Sequence, residues 1–238
     1  MPRHLLLRLA SPLVAFGGET IDNYGVIRDF PALSMLTGLV ANALGWDRSE
    51  GPRLDLLQHR LRLGTMLVRP GVRLREFQTA QLASDDKGWT TWGEPEERRG
   101  GAASYLGPHL RYRDHHADLV AIVALRLEPA NEAPTIDDVA AALDRPKRPL
   151  FIGRKPCLPD GRLVAGWIDR ANVLDALRSA AASLGAKCVR AQWPDGEGEL
   201  SSHDRVVDVC DERNWISGLH GGWRPVREGL IRDAGSPL

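Results

Sequence analysis

The side chains best suited to chemistry are two adjacent histidines, His115 and His116, with His109, Tyr24, Lys147 and Arg148 as further candidates. Metal-independent RNA cleavage needs a base for the 2′-OH proton, an acid for the leaving group and a cation for the developing charge. These residue types supply all three. The same side chains serve equally as RNA contacts or as ordinary surface. A metal shared by the histidine pair is disfavoured, because neighbours on a strand point to opposite faces. The chain also lacks CxxC, HExxH and any His/Cys set at zinc spacing. GGET and LTGL do not form a P-loop, GLHGGW lacks the Walker lysine, and no GxSxG occurs. Neither a metal nor a cofactor is expected.

A second chemistry is that of cations and rings. Residues 144–155, DRPKRPLFIGRK, hold five basic residues and one acid, whereas residues 195–212 are mostly acidic. Between Gln78 and His116 no periodicity is visible, and Arg98 and Arg99 sit beside Gly100 and Gly101 with Trp89, Trp92, Tyr105 and Tyr112 around them. Such a tract reads as an arm for a single-stranded partner, cations for phosphates and rings for bases, or as a surface loop with incidental aromatics.

The elements that must position these residues follow from pattern. Residues 4–9 have the length and apolar content of a buried strand. A loop with Gly17, Gly18 and Gly25 leads to a helix after Pro31, with Leu36, Leu39, Val40, Ala43 and Leu44 on one face and Gly45 as its stop. Gly38 inside that helix costs ~1 kcal/mol relative to Ala, so either close packing or room for an RNA backbone must account for it. A short helix is expected after Pro52, then strands over 62–70, 72–77 and 118–128. Thr135 and Asp138 predict a capping box for a helix ending near Asp144. RPLFIGRKPCLP predicts a short strand and a Pro-flanked loop. Asp169 is expected to cap a helix over Val173–Leu184, stopped by Gly185. Strands follow over 186–193 and 205–209. Pro225 places GWRPVRE at a sheet edge, and the tail from Arg232 is expected to lack structure. Strand, helix, strand, strand, helix predicts an α+β fold with a ferredoxin-like or RRM-like core and the arm inserted between its middle strands. The first strand lacks the aromatics of an RRM stacking strand, which argues against ordinary readout on the sheet face.

With 238 residues, 43% apolar and 26% charged, the chain is that of a globular protein with a real core. No apolar run approaches the ~20 residues of a membrane span, and LLLRL, broken by Arg8 and followed by no clean cleavage site, reads as strand rather than signal peptide. Cys157, Cys188 and Cys210 are odd in number and far apart, which fits a reducing cytoplasm. Lys+Arg and Asp+Glu are equal at 31 each. A non-specific nucleic-acid binder is normally basic, so any such role here rests on local patches.

LLLRLASPLVAFG, IRDFPALSMLTGLVANALGW, RPGVRLREFQT and RPLFIGRKPCLP resemble, in this order, successive blocks of the Cas-five family of CRISPR-associated proteins in its type I-E branch. They cover most of residues 4–159. The resemblance implies an RRM-like domain over 1–148 with a thumb at about 78–116, and a smaller β-rich part with one helix over 149–238. It implies a non-catalytic subunit of a Cascade surveillance complex. Such a subunit grips the 5′ handle of the CRISPR RNA (crRNA), caps the CasC backbone, meets the large subunit CasA and supports crRNA-guided recognition of target DNA. Carried onto this chain, the helix block implicates Ser34 and Gly38, the strand before the thumb Arg75, Phe77 and Gln78, and the loop block Gly153, Arg154 and Lys155. Gly17, Gly18, Arg28, Lys147 and Arg148 join them, and composition adds Arg98, Arg99, Tyr105 and Arg111 in the thumb. Ala32-Leu33-Ser34-Met35 stands where many relatives carry Thr-Arg-Ser-Gly, and GRK stands for GRR, which loses the bidentate geometry of the second Arg. Type I-C relatives cut the repeat RNA themselves, so an endoribonuclease is the alternative.

Overall fold

Alternation along the first strand sends Leu5, Leu7 and Leu9 to one face, all fully buried, and Leu6 to the other. A strand apolar on both faces needs cover on both, and the chain supplies it. The computed structural model describes residues 1–18, 23–81, 83, 86–89, 95–96, 107–199 and 201–232. In chain order the elements are β1 (Arg3–Ala10), β2 (Leu13–Val14), β3 (Tyr24–Gly25), α1 (Leu33–Leu44), α2 (Gly51–Arg60), β4 (Leu61–Arg69), β5 (Val72–Ala80), β6 (Gly88–Trp89) and β7 (Pro95–Glu96). Then come β8 (His109–Ala117), β9 (Val120–Leu127), α3 (Ile136–Asp144), β10 (Val164–Asp169), α4 (Val173–Ser183), β11 (Cys188–Pro194), β12 (Arg205–Val209) and β13 (Arg224–Arg232).

Seven strands form one antiparallel sheet in the order β10-β1-β9-β4-β11-β13-β12. On one face α1, α2 and α3 pack over Leu5, Leu7, Leu9, Val123 and Leu125. On the other α4 covers Met66, Ile122, Ala124 and Ala191. The result is a mixed α+β fold. β10, from the second half of the chain, hydrogen-bonds to β1, and β11 pairs with β4, so both halves share the sheet. A second sheet is built on the hairpin β5–β8, paired from Val72↔Ala117 to Ala80↔His109, with β2 and β3 on the other side of β8.

The capping box of α3 forms as expected, with Thr135 and Asp138 bonding each other's backbone N–H. Gly45 ends α1 in the left-handed conformation at φ 82°. Four expectations need correction. His109–Ala117, read as part of an aperiodic arm, is a regular strand; its sequence HLRYRDHHA hides the period because both faces carry polar groups. Residues 148–159 form no strand, since prolines and a left-handed Gly153 break the extended backbone. Val164–Asp169 is a strand, and α4 is capped by Asn172, whose Oδ1 accepts from the Asp175 N–H at 2.8 Å, not by Asp169. β13 lies inside the sheet, between β11 and β12. Pro225 is only its second residue, and the β11 ladder starts one residue later at Val226, so the missing N–H costs little there. The expectation for the tail from Arg232 falls, beyond that residue, outside the described residues.

Candidate nucleic-acid interface

Between α1 and the loop after α3 lies a cleft of about 650 Å³. Its floor is the face of α1 that carries Ser34, Gly38 and Asn42, and one wall is the backbone from Ala15 to Gly18. Gly18 N–H bonds to Val26 O at 3.1 Å and Arg28 N–H to Phe16 O at 2.7 Å, which folds residues 26–28 against that wall and turns Arg28 into the cleft. Five arginines line it, Arg28, Arg48, Arg148, Arg154 and Arg213, against two carboxylates, Asp47 and Asp211. A chain of zero net charge thus concentrates positive potential in one concave place.

The opposite wall is a strap, residues 210–223, that joins β12 to β13. Ala32, the residue preceding α1, offers no side-chain cap. Asp211 does that work from 178 residues away: its Oδ2 accepts from Leu33 N–H at 2.9 Å, and its backbone O accepts from Ser34 N–H at 3.0 Å. Arg224 closes the arrangement, donating from Nε and Nη2 to the same carboxylate, each at 2.7 Å. An anion at a helix N-terminus satisfies free N–H groups and the macrodipole together. Gln58 on α2 grips the strap further along. Its Nε2 donates to Arg213 O at 3.0 Å, while its Oε1 accepts from Arg213 N–H at 3.2 Å and Trp215 Nε1–H at 3.0 Å.

The loop after α3 is shaped by a glycine. Gly153 has φ 86°, and a Cβ there would sit 1.7 Å from Ala15 O, so only glycine lets this loop lie on the cleft wall. Arg154 then reaches through to the second sheet, donating to Asp114 O and Gly25 O, each at 2.7 Å. Gly25 leaves room for that guanidinium, since a Cβ would come within 2.7 Å of Nη2. Burial, with the Arg113 charge second, pulls the Arg154 guanidinium below the usual range. Arg148 donates to Trp46 O and to Asp47, both at 2.7 Å. Lys147 and Lys155 are exposed.

Thus Gly17, Gly18, Arg28, Ser34, Gly38, Arg148, Gly153 and Arg154 come together at the cleft. Arg75, Phe77, Gln78 and Arg111 sit elsewhere, on the β5–β8 hairpin, where Phe77 faces Tyr112 and Gln78 faces Arg111 across the ladder. Tyr24 stacks on Tyr112 at 5.0 Å and Phe77 meets the same ring at 5.3 Å; Phe77 and Tyr24 are exposed. Arg75 and Arg73 both bind the buried Asp114, at 2.8 and 2.5 Å, and the Arg75 bond above all lowers that carboxyl from 3.8 to about 2. Arg98, Arg99 and Tyr105 lie outside the described residues. Gly38 faces Trp215, 3.6 Å from where its Cβ would be.

The histidines do not assemble a reaction centre. His115 and His116 are 1% and 8% exposed, and neither lines the cleft. Burial, then the Arg154 charge, holds the His115 imidazole below its ordinary value, and His116 Nε2 bonds the Arg28 carbonyl at 2.9 Å. His109 lies six strand residues from His115, about 20 Å away. Sequence reasoning missed Arg48, Asp211, Arg213 and Trp215. The strap carries no periodic signal, and its contacts to α1 and α2 span more than 150 residues. Among the described residues no group of three His, Cys, Asp or Glu could hold a metal. No described helix is long and apolar enough to cross a membrane.

This fold recurs among CRISPR-associated proteins. A chain of a solved CRISPR RNA-guided surveillance complex matches with a TM-score of 0.67 at 24% identity, over 96% of this chain and 89% of that one. A crystal structure of a Cas protein matches with a TM-score of 0.60 at 21% identity, over 97% and 95%. Residues 4–227 match the family described as CRISPR-associated protein (Cas_Cas5), and the chain belongs to that family. It is also 27% identical over 160 residues to the CRISPR system Cascade subunit CasD of Escherichia coli (strain K12), covering 66% of this chain and 67% of that one.

Proposed function

We propose that this protein is a non-catalytic subunit of a type I-E Cascade surveillance complex that binds the 5′ handle of the crRNA in the cleft. In that role it caps the CasC backbone, meets CasA and supports crRNA-guided DNA recognition in the cytoplasm. The observation that carries the reading is the five-arginine cleft in a chain without net charge. Family membership and the similarity to the Cascade subunit CasD point the same way.

In this reading residues 1–148 act as an RRM-like domain with its thumb, and residues 149–238 as the smaller part that supplies β10 and the strap. The order β10-β1-β9-β4, with helices after β1 and β9, supports the RRM-like description. The cleft holds the strand with Gly17, Gly18, Arg28, Ser34, Gly38, Arg148, Gly153 and Arg154, flanked by Lys147 and Lys155. The hairpin residues Arg75, Phe77, Gln78 and Arg111, with Arg98, Arg99 and Tyr105 of the arm, take the adjoining nucleotides. Exposed Tyr24 and Phe77 beside Arg75 suit base stacking with a phosphate alongside.

Co-expression with the other Cascade subunits and a repeat array tests the proposal. Charge reversal at Arg148 and Lys155 is expected to reduce crRNA in the purified complex; a wild-type amount overturns the cleft assignment. Incubation of the purified protein with repeat RNA in EDTA is expected to leave the RNA intact. A discrete product would make the protein an endoribonuclease.

A further inference from the structure

Three aromatic rings form a row across the second sheet. Phe77 on β5, Tyr112 on β8 and Tyr24 on β3 are partners in the strand register, so their side chains lie next to one another on one face. The ring separations of 5.3 and 5.0 Å follow the strand spacing of about 4.8 Å. The period of two puts Arg73 and Arg75 on the same face as Phe77, where they share the Asp114 carboxylate, and the Arg75 guanidinium carbon lies 5.8 Å from the centre of the Tyr24 ring. A two-residue strand does not by itself hold a ring in place. Tyr24 is bracketed instead by two bonds: Tyr112 N–H donates to Asn23 O at 2.9 Å, and Arg154 donates to Gly25 O. The same guanidinium bonds Asp114 O on β8, so the loop on the cleft wall fixes β3 and β8 against each other.

The row is rigid, yet Phe77 is 55% and Tyr24 44% exposed. Contiguous rings left in water on a fixed sheet mark a surface that something covers. The charges around them say what kind of partner fits. The paired residues 72–80 and 109–117 hold four arginines against two carboxylates. A nucleotide brings a π face and an anionic phosphate in one unit, which matches rings flanked by guanidiniums. An apolar protein side chain would cover the rings and leave the excess positive charge unmatched. We infer that this row is a stacking platform for one base of the single-stranded RNA. The Phe77 ring is its contact surface, Tyr112 and Tyr24 are its backing, and Arg73 and Arg75 stand beside the adjoining phosphate. Stacking accepts any base, so the platform sets the register of the strand and not its sequence. This rests on the reading of the protein as a binder of handle RNA, and it moves base contact from the larger sheet, whose first strand lacks aromatics, to the smaller one.

A single abasic site, moved stepwise through fluorescein-labelled single-stranded RNA of the handle sequence, tests the platform by anisotropy with the purified full chain. At one position the abasic RNA is expected to bind wild type about 5- to 150-fold more weakly than intact RNA, the range for one lost stack of base on ring. Phe77→Leu keeps an apolar strand residue without the ring. It is expected to weaken intact RNA by the same factor and to be indifferent to the abasic site at that one position. Phe77→Trp, which restores a ring, is expected to recover both the affinity and the abasic sensitivity. The slope of log affinity against log salt is expected to stay at the wild-type value in Phe77→Leu, because no phosphate contact is lost. A loss in Phe77→Leu of equal size for intact RNA and for every abasic RNA makes the ring structural and overturns the platform. Wild-type RNA affinity in Phe77→Leu, with partner subunits lost from the co-expressed complex, assigns the row to a protein and overturns it as well. Wild-type affinity in Phe77→Leu, alongside a loss on charge reversal at Arg148 and Lys155, overturns the platform while leaving the cleft. No loss in either set overturns the reading of the protein as an RNA binder.

Discussion

Replacing Asp211 by alanine removes the carboxylate that ties the strap to the first residue of α1. The carboxylate is 3% exposed and receives three hydrogen bonds, one from Leu33 N–H and two from Arg224. Its loss leaves a helix without a cap, a term of ~1 kcal/mol. It also leaves Arg224 largely buried and unpaired, and breaking such a pair from one side costs ~3–5 kcal/mol. The terms overlap, so the whole change is expected to be on the order of 4 kcal/mol. For a chain of this size that lowers the melting temperature on the order of 10 °C. Differential scanning calorimetry of Asp211→Ala, Arg224→Met and the double variant measures both the loss and the coupling. The double variant is expected to be more stable than the two single losses predict, by roughly 1–3 kcal/mol, because no buried charge is left alone. Additive losses, or a cost for Asp211→Ala under ~1 kcal/mol, would refute the role given to this carboxylate.

Gly153→Ala must adopt a left-handed backbone and push against Ala15 O, so a loss of roughly 2–4 kcal/mol is expected in urea unfolding. Gly17→Ala, with open space around it, is expected to stay near wild type in the same assay. Gly38→Ala meets Trp215 at an ordinary contact distance of 3.6 Å and gains helix propensity, so a stabilisation of up to ~1 kcal/mol is expected; a loss would show the space to be tighter than this. Asp114 is depressed in the folded state, to about 2, mainly by the hydrogen bond from Arg75. The stability it adds is therefore complete above the ordinary carboxylate range and disappears as pH falls towards 2. The gap in unfolding free energy between wild type and Asp114→Asn should close over that window, and a gap that stays constant with pH would exclude the ion pair as its source.

The elements with one strong period were legible from residue order. The α1 face, the Gly45 stop, the α3 capping box and the central strand β9 all follow from local chemistry that tertiary contacts do not override. β8 escaped because a strand whose two faces carry Tyr112, Asp114 and buried histidines shows no apolar alternation. β13 was misplaced because the rule for proline in sheets concerns the position of one N–H, and the register that decides it is a property of β11 and β12. The cleft was half legible. Its glycine-bearing wall and the GRK loop lie in the family-like blocks, but their individual roles depend on distance. Gly153 serves a backbone approach and Arg154 binds carbonyls 40 and 129 residues away. The strap had no signal at all, since Asp211 and Arg213 look like any other charges until α1 and α2 are folded beside them.

On the proposed reading, these placements explain how a chain with equal numbers of acids and bases holds a polyanion. A helix N-terminus is the ready-made anion site of such a fold, and here Asp211 already fills it. Asp47 offsets Arg148 in the same way. What is left for a ligand is the net excess of a cleft lined by five arginines and two carboxylates. A strand bound there displaces few counterions, so its affinity should depend only weakly on salt compared with that of a uniformly basic surface. The same internal acids weaken attraction for stray nucleic acid. On the same reading, selectivity for one strand in one register comes from the shape that the Gly153 loop and the strap impose on the cleft, and the arginines need only be correctly placed within it.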